Sequence, residues 1–188
     1  MVNSFGIKQQ YLQSIMNASI LKGIISNLAN LRAFFCSEAD FQHSIALALA
    51  SPTRKVYLEY PIIGVGHVDI IVEENGLYYP IELKYKTKVD HCQGILGNID
   101  LMAHGAHNIN RYLFWKDVSR IEVLKQLFPE RIVEGYVIML TNDPLYWNRP
   151  MKKPKPSKKT VNDWLFRIHS GKKGQSCSMV EHKPSTFI

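Results

Sequence analysis

The chain has 188 residues, 46% of them hydrophobic and 21% charged, which predicts one globular domain with a substantial core. No apolar run approaches the roughly 20 residues that cross a bilayer, and the N-terminal residues lack the pattern of a signal peptide. Three cysteines without a CxxC pair argue against a disulfide scaffold or a structural zinc site, so a reducing, cytoplasmic setting is expected.

The net charge of +7 is distributed unevenly along the chain. Residues 1–148 hold 13 Lys and Arg against 14 Asp and Glu, a balance of −1. Residues 149–188 hold 10 Lys and Arg against 2 Asp and Glu, a balance of +8. A concentrated positive segment attracts polyanions, and nucleic acid first among them. A solvated tail that aids solubility explains the same composition equally well.

Two helices are predicted in the first quarter of the chain. Apolar residues recur at three- and four-residue intervals over 7–30, although Gly23 and the Asn-rich end weaken the second half. A second helix is predicted to begin after Ser37, which is a good N-cap, and to end at Pro52. Acidic residues directly after the cap favour the positive end of this helix dipole.

Three strands are predicted next, over 54–63, 67–74 and 77–86, because these stretches are rich in branched and aromatic residues. Asn75-Gly76 is the typical sequence of a tight hairpin between the second and third strands. Three strands in such close succession predict an antiparallel meander.

The rest of the chain is predicted to be helical over 91–127 and to form a buried strand over 135–143. The resulting order of elements fits a mixed sheet with helices packed on it. Beyond it, 149–159 is rich in proline and basic residues, and 161–168 is predicted to form a short amphipathic helix.

Charged residues interrupt the third predicted strand. Residues two apart in a strand face the same side, so Glu82 and Lys84 project together. Their apolar neighbours point to the opposite face, where they can join the core: Ile81, Leu83 and Tyr85. Pairing the strands around the hairpin places Asp69 opposite roughly residue 82. Two acids and a lysine are therefore expected to meet on neighbouring strands.

This set of side chains suits a magnesium site, because Mg²⁺ prefers a few carboxylates together with waters and substrate phosphate oxygens. Such an ion can orient a water and neutralise charge that develops on a phosphate. A lysine beside it could position or deprotonate the attacking water, or stabilise the transition state. An exposed sheet face with ordinary salt bridges would give a similar pattern.

The motif Asp69, twelve intervening residues, then Glu82-Leu83-Lys84 resembles that of the PD-(D/E)XK nuclease superfamily, with Val68 in place of the proline. The stretches around "NRYLFWKDVSRIE" and "GYVIMLTND" look like small bacterial members of that superfamily. The resemblance covers 37–143 and implies a three-layer αβα, restriction-endonuclease-like core with a mixed central sheet. The core is assigned to 37–148, after an N-terminal helical segment (1–36) and before a basic segment (149–188).

The resemblance also implies roles for individual residues. Asp69 and Glu82 would bind the metal, and Lys84 would serve the water or the transition state. Glu38, on the helix before the sheet, would complete the metal shell. Family members often place a polar residue on the helix after the lysine strand, and Gln93 is the corresponding residue here.

The expected activity is Mg²⁺-dependent hydrolysis of DNA phosphodiesters, with Mn²⁺ able to substitute, in defence or in repair. DNA is expected in preference to RNA, without a membrane partner, and cutting both strands would favour a homodimer. Backbone phosphates would be contacted by the lysines of the basic segment: Lys152, Lys153, Lys155, Lys158 and Lys159. A non-catalytic nucleic-acid-binding module on the same fold is the alternative.

Other charged residues have more than one interpretation. His104 and His107 could share a metal, although a role at a loop or helix end is favoured because no acid or cysteine lies near them in sequence. Arg111, Lys116 and Arg120 could face phosphate, or form ion pairs on their own helix.

Overall fold

The computed structural model describes residues 16–147, which form six strands, three α-helices and one short 3-10 helix. The helices are α1 (Ala18–Leu31), α2 (Glu38–Leu49) and α3 (His107–Leu127), and the 3-10 helix spans Pro144–Tyr146. The strands are β1 (Arg54–Ile62), β2 (Gly66–Glu74), β3 (Leu77–Lys86), β4 (Asp90–Gly94), β5 (Gly97–Leu101) and β6 (Tyr136–Thr141). Within this described range, no helix is both long and apolar enough to cross a membrane.

Four strands form one mixed sheet in the order β1-β2-β3-β6. β1, β2 and β3 are an antiparallel meander, and β6 returns parallel to β3. The predicted meander, the mixed sheet and the Asn75-Gly76 turn are therefore confirmed. Both turn residues have positive φ, 54° and 77°, as a type I′ hairpin requires.

Two apolar clusters cover opposite faces of this sheet. Alternate residues of β3, among them Ile81 and Leu83, pack with α1 and α2 around Phe41 and Ile45. On the other face, Val137 and its neighbours pack against α3. The helices therefore lie on both faces of the sheet, as the two-sided apolar pattern of a central strand requires.

The two longest predicted helices differ from the structure in part. The helix predicted over 7–30 is confirmed for Ala18–Leu31, but it does not run through Asn17, which is extended and whose side chain caps the amides of Ser19 and Ile20. Residues 7–15 of that prediction lie outside the described range. Residues 91–101, predicted as helix, instead belong to the β4–β5 hairpin, a separate two-stranded sheet. Gly97, at φ 127°, supplies the turn conformation that a helix could not use.

Pro80 lies in a central strand without interrupting its ladder. Its partner on β2 is Ile71, and pairing with β6 begins only at the next residue. The amide of Tyr78, two residues earlier, points away from β2 and donates to the carbonyl of Arg131. The imide nitrogen of Pro80 therefore faces the same open side, where no ladder donor is needed.

Candidate active site

The β2–β3 ladder ends immediately before the predicted acidic pair. Ile70 and Ile81 are the last paired residues, and the same register carried one step further places Asp69 across from Glu82. At this point the Oδ2 atom of Asp69 accepts a hydrogen bond from the backbone amide of Leu83 at 2.6 Å. The Asp69 carboxylate thus takes the place of a backbone acceptor where the two strands separate.

The strand on the other side of Asp69 is also distorted. The β1–β2 register pairs Leu58 with Ile70 and Tyr60 with Val68, but Glu59 between them is unpaired and has a φ of 48°. Positive φ at a non-glycine residue costs free energy and is concentrated at functional sites.

Gln42 of α2 connects these two distorted positions. It is buried, and its Nε2 atom donates to the Glu59 carboxylate at 2.6 Å and to the Asp69 carbonyl at 2.7 Å. Burial raises the pKa of Asp69, while the Leu83 amide and Lys84 oppose that shift.

Glu82 is the most deeply buried acid of the predicted set, with 1% of its surface exposed. Burial, followed by the nearby charge of Asp69, raises the pKa of Glu82 to about 8. Its Oε1 atom lies 3.1 Å from the Nε atom of Arg120, but it makes no hydrogen bond to any residue that the structure describes. A buried carboxylate oxygen without a hydrogen bond is explained by a catalytic role or by a bound water or ion.

Lys84 projects from β3 beside Glu82, as the strand alternation predicts. Its Nζ atom lies 2.6 Å from Oδ2 of Asp117 on α3 and donates to the carbonyl of Leu83 at 3.2 Å. Burial lowers the pKa of Lys84, but the Asp117 partner and nearby carboxylates outweigh it, so the pKa is raised overall. Lys84 is thus held in its charged form.

Four side chains form a closed set between β3 and α3, which we call the charge quartet: Glu82, Lys84, Asp117 and Arg120. Arg120 also donates to Asp117 and, at 2.8 Å, to the carbonyl of His67. Asp117 is buried, and only a quarter of the Arg120 side chain is exposed. Helix α3 therefore covers most of the face that carries Glu82 and Lys84, while Lys84 and Arg120 remain partly exposed.

Glu38 lies at the other end of the same strand segment. Its Oε2 atom accepts from the amide of Tyr85 at 2.7 Å and lies 3.2 Å from Nζ of Lys86. Its charge is one of those that raise the pKa of Lys84. The structure therefore places Glu38 next to the lysine end of the site.

The helical setting predicted for Gln93 was wrong. Gln93 lies on β4, is exposed, and donates to the carbonyl of Gly94 at 3.3 Å. The first helix after the lysine strand is α3, and the polar residues that it brings to the site are Asp117 and Arg120.

The two histidines have separate partners. His104 accepts from the amide of Thr87 at 3.0 Å, and His107 pairs with Asp143 at 2.6 Å at the start of α3. The loop and helix-end interpretation fits these contacts. The predicted phosphate-binding lysines, 152 to 159, lie outside the described residues.

Sequence reasoning missed four residues of the site: Asp117, Arg120, Gln42 and Glu59. A usable signal existed for the first two, because opposite charges three residues apart lie on one face of a helix. That signal predicted either a phosphate-facing stripe or ion pairs within the helix, and neither interpretation included a contact with β3. No sequence signal marked Glu59, since a positive φ at glutamate follows from the tertiary structure.

The chemistry of the donor set decides whether a metal fits. Within residues 16–147, no three His, Cys, Asp or Glu side chains form a ready-made metal cage. Mg²⁺ is commonly held by one or two carboxylates together with waters and substrate, and Asp69 with Glu82 supplies such a pair. The unsatisfied oxygen of Glu82 fits that use. Comparisons of the chain with protein-family models, with curated proteins and with solved structures found no match.

Proposed function

We propose that the protein is a Mg²⁺-dependent nuclease of PD-(D/E)XK type that hydrolyses DNA phosphodiester bonds. One observation above all supports this proposal. Asp69 and Glu82 lie across from each other where two strands separate, the charge of Lys84 acts on the pKa of both, and an oxygen of the buried Glu82 carboxylate has no hydrogen bond. Keeping such a group in a core is costly unless a cation binds it.

The order of elements supports the finer fold within this proposal, the restriction-endonuclease-like core. A helix precedes an antiparallel meander of three strands, and a second helix leads to a strand parallel to the third. The motif residues lie at the separation of β2 from β3, on the face covered by α3. Relative to this plan, the β4–β5 hairpin is an insertion.

Each residue has a role that its surroundings support. The metal would be held by Asp69 and Glu82, and when bound it would lower the pKa of a water and neutralise charge on the phosphate. Lys84, kept charged by Asp117, would donate a proton or hydrogen bond to an oxygen of the phosphate. Gln42 and Leu83 hold Asp69 in place through its carbonyl and carboxylate.

A non-catalytic binding module is the second candidate, and the charge quartet favours it. Glu82 and Lys84 each already have an oppositely charged partner on α3. A structural ion-pair network would look the same and would need no metal. The two candidate functions differ in whether the site hydrolyses DNA.

The deciding experiment is cleavage of supercoiled plasmid by the full chain with Mg²⁺ or Mn²⁺. We expect nicking by the wild type, and its loss by at least about a hundredfold in Asp69→Asn and Lys84→Met. Lys55→Met, an exposed lysine on the same sheet, is the matched control and should cut normally. If wild type and all variants bind DNA but none cuts it, the binding module is correct.

The basic segment is proposed to contact backbone phosphates, through Lys152, Lys153, Lys155, Lys158 and Lys159. Deleting 149–159 should weaken DNA binding and flatten its dependence on salt, because fewer counterions are released. An unchanged salt slope would contradict this role. A homodimer and a cytoplasmic location belong to the same proposal, and light scattering of the purified protein tests the first.

A further inference from the structure

The charge quartet joins a pair of side chains on strand β3 to a pair of side chains on helix α3. Glu82 and Lys84 are two apart on β3 and share a face, whereas Asp117 and Arg120 are three apart on α3 and share a face. Each pair contains one acid and one base. The two pairs meet crosswise, with Glu82 against Arg120 at 3.1 Å and Lys84 against Asp117 at 2.6 Å.

Within this set, Arg120 is the cation that compensates Glu82. The Oε1 atom of Glu82 has no hydrogen-bond partner in the described part of the chain, so the guanidinium at 3.1 Å is its nearest compensation. When Glu82 is ionised, a carboxylate that is 1% exposed needs such a partner to remain in the core. A metal ion bound to this oxygen would supply the same compensation.

Arg120 can leave Glu82 without becoming isolated. Its guanidinium also donates to the carbonyl of His67 at 2.8 Å and to the carboxylate of Asp117. Its side chain is one quarter exposed, so one end of the group already reaches water. Loss of one of three partners is a small rearrangement, whereas two cations on one carboxylate oxygen would repel each other.

We propose that Arg120 is the resident counter-ion of the metal site, and that a divalent cation binds Glu82 by displacing the Arg120 guanidinium from it. This inference rests on the proposed metal site at Asp69 and Glu82. It makes Arg120 a positioning residue that competes with the metal. A residue that only supported the fold of the site would instead strengthen metal binding.

The first test is isothermal titration calorimetry of the full chain with Mn²⁺. We expect Arg120→Gln to lower the dissociation constant at least about tenfold. Lys84→Gln removes the same charge from the quartet without touching the Glu82 oxygen, and we expect it to change the constant less than about threefold. Equal effects of the two variants would mean general electrostatics and would overturn the proposal.

A double-mutant cycle tests whether the effect of Arg120 on Mn²⁺ binding acts through Glu82. Because the competition acts through Glu82, Arg120→Gln should no longer tighten Mn²⁺ binding in a Glu82→Gln background. Persistent tightening there would contradict the proposal. If the wild type binds no Mn²⁺ and Arg120→Gln does, the proposal is supported; if neither binds, it is overturned.

A second measurement is made on the wild type, so it does not depend on whether a variant with an altered charge folds. In the ¹H–¹⁵N spectrum of the wild type, the Nε–H signal of Arg120 should shift when Mg²⁺ is added. The conservative Arg120→Lys variant assigns that signal. A signal that stays in place at saturating Mg²⁺ would refute displacement.

The two proposals fail separately. If Mn²⁺ binds and Arg120→Gln behaves as the wild type does, the counter-ion role is wrong and the nuclease proposal stands. If Arg120→Gln tightens Mn²⁺ binding but no variant cuts DNA, the nuclease proposal is wrong and the counter-ion role stands.

Discussion

Glu82 makes the stability of the metal-free protein depend on pH. Its carboxyl is 1% exposed, and its pKa is raised from 4.5 to about 8, first by burial and then by Asp69. The folded state therefore holds a proton that the unfolded chain releases at lower pH. The contribution of Glu82 to the free energy of unfolding is largest below pH 4.5 and is lost as the pH rises toward 8.

The magnitude follows from the two pKa values. A carboxyl that titrates near 4.5 when unfolded and near 8 when folded costs the folded state about 3–4 kcal/mol between pH 5 and pH 8. For a chain of this length, that loss corresponds to a fall in Tm of roughly 10 °C. Glu82→Gln carries no titrating proton and should lose this part of the slope.

The assay is thermal or urea unfolding at several pH values in the presence of EDTA. We expect the difference in stability between Glu82→Gln and the wild type to grow steadily from pH 5 to pH 8. Glu73→Gln, a partly exposed glutamate on the neighbouring strand, is the control and should keep the wild-type slope below pH 8. If Glu82→Gln and the wild type show parallel curves, Glu82 is not a buried proton carrier and the account of the site is wrong.

Two further predictions concern the framework of the site. Glu74→Ala should cost about 3–5 kcal/mol in urea unfolding, because it removes a buried carboxylate that pairs with Arg54 and accepts from the Met16 amide. Glu73→Ala removes a partly exposed partner of Lys55 and Tyr57 and should cost clearly less than Glu74→Ala, and equal losses would refute the argument. Gly135→Ala should cost about 1–3 kcal/mol, since its new methyl would meet Ile121 at 2.6 Å and Pro80 at 3.1 Å. Gly23→Ala, in the open interior of α1, should instead stabilise by about 1 kcal/mol, and a loss there would contradict the helix assignment.

Local chemistry accounts for the elements that sequence reasoning predicted well. Asn75-Gly76 adopts positive φ at low cost, so the hairpin and the register that follows from it were predictable. Ser37 caps α2 through the amide of Asp40 at 3.0 Å, as its position predicts. The alternation of side chains along a strand likewise predicted that Glu82 and Lys84 share one face of β3.

The errors came from stretches where local preference is ambiguous. Residues 91–103 have apolar residues at helix-like intervals, but Gly94 and Gly97 allow the tight hairpin that the structure contains. Asn17 lies within the stretch predicted as helix, but its side chain accepts hydrogen bonds from the first amides of α1 and caps that helix.

The sequence alone determined which charges share the strand face, because period-two alternation and the hairpin set the positions of Asp69, Glu82 and Lys84. Only the tertiary structure decided what those charges meet. Helix α3 packs on that face and brings Asp117 and Arg120 against them. Its register over the sheet depends on the fit of many apolar side chains, which no local pattern encodes. The burial that raises the pKa of Glu82 to about 8 therefore arises from packing.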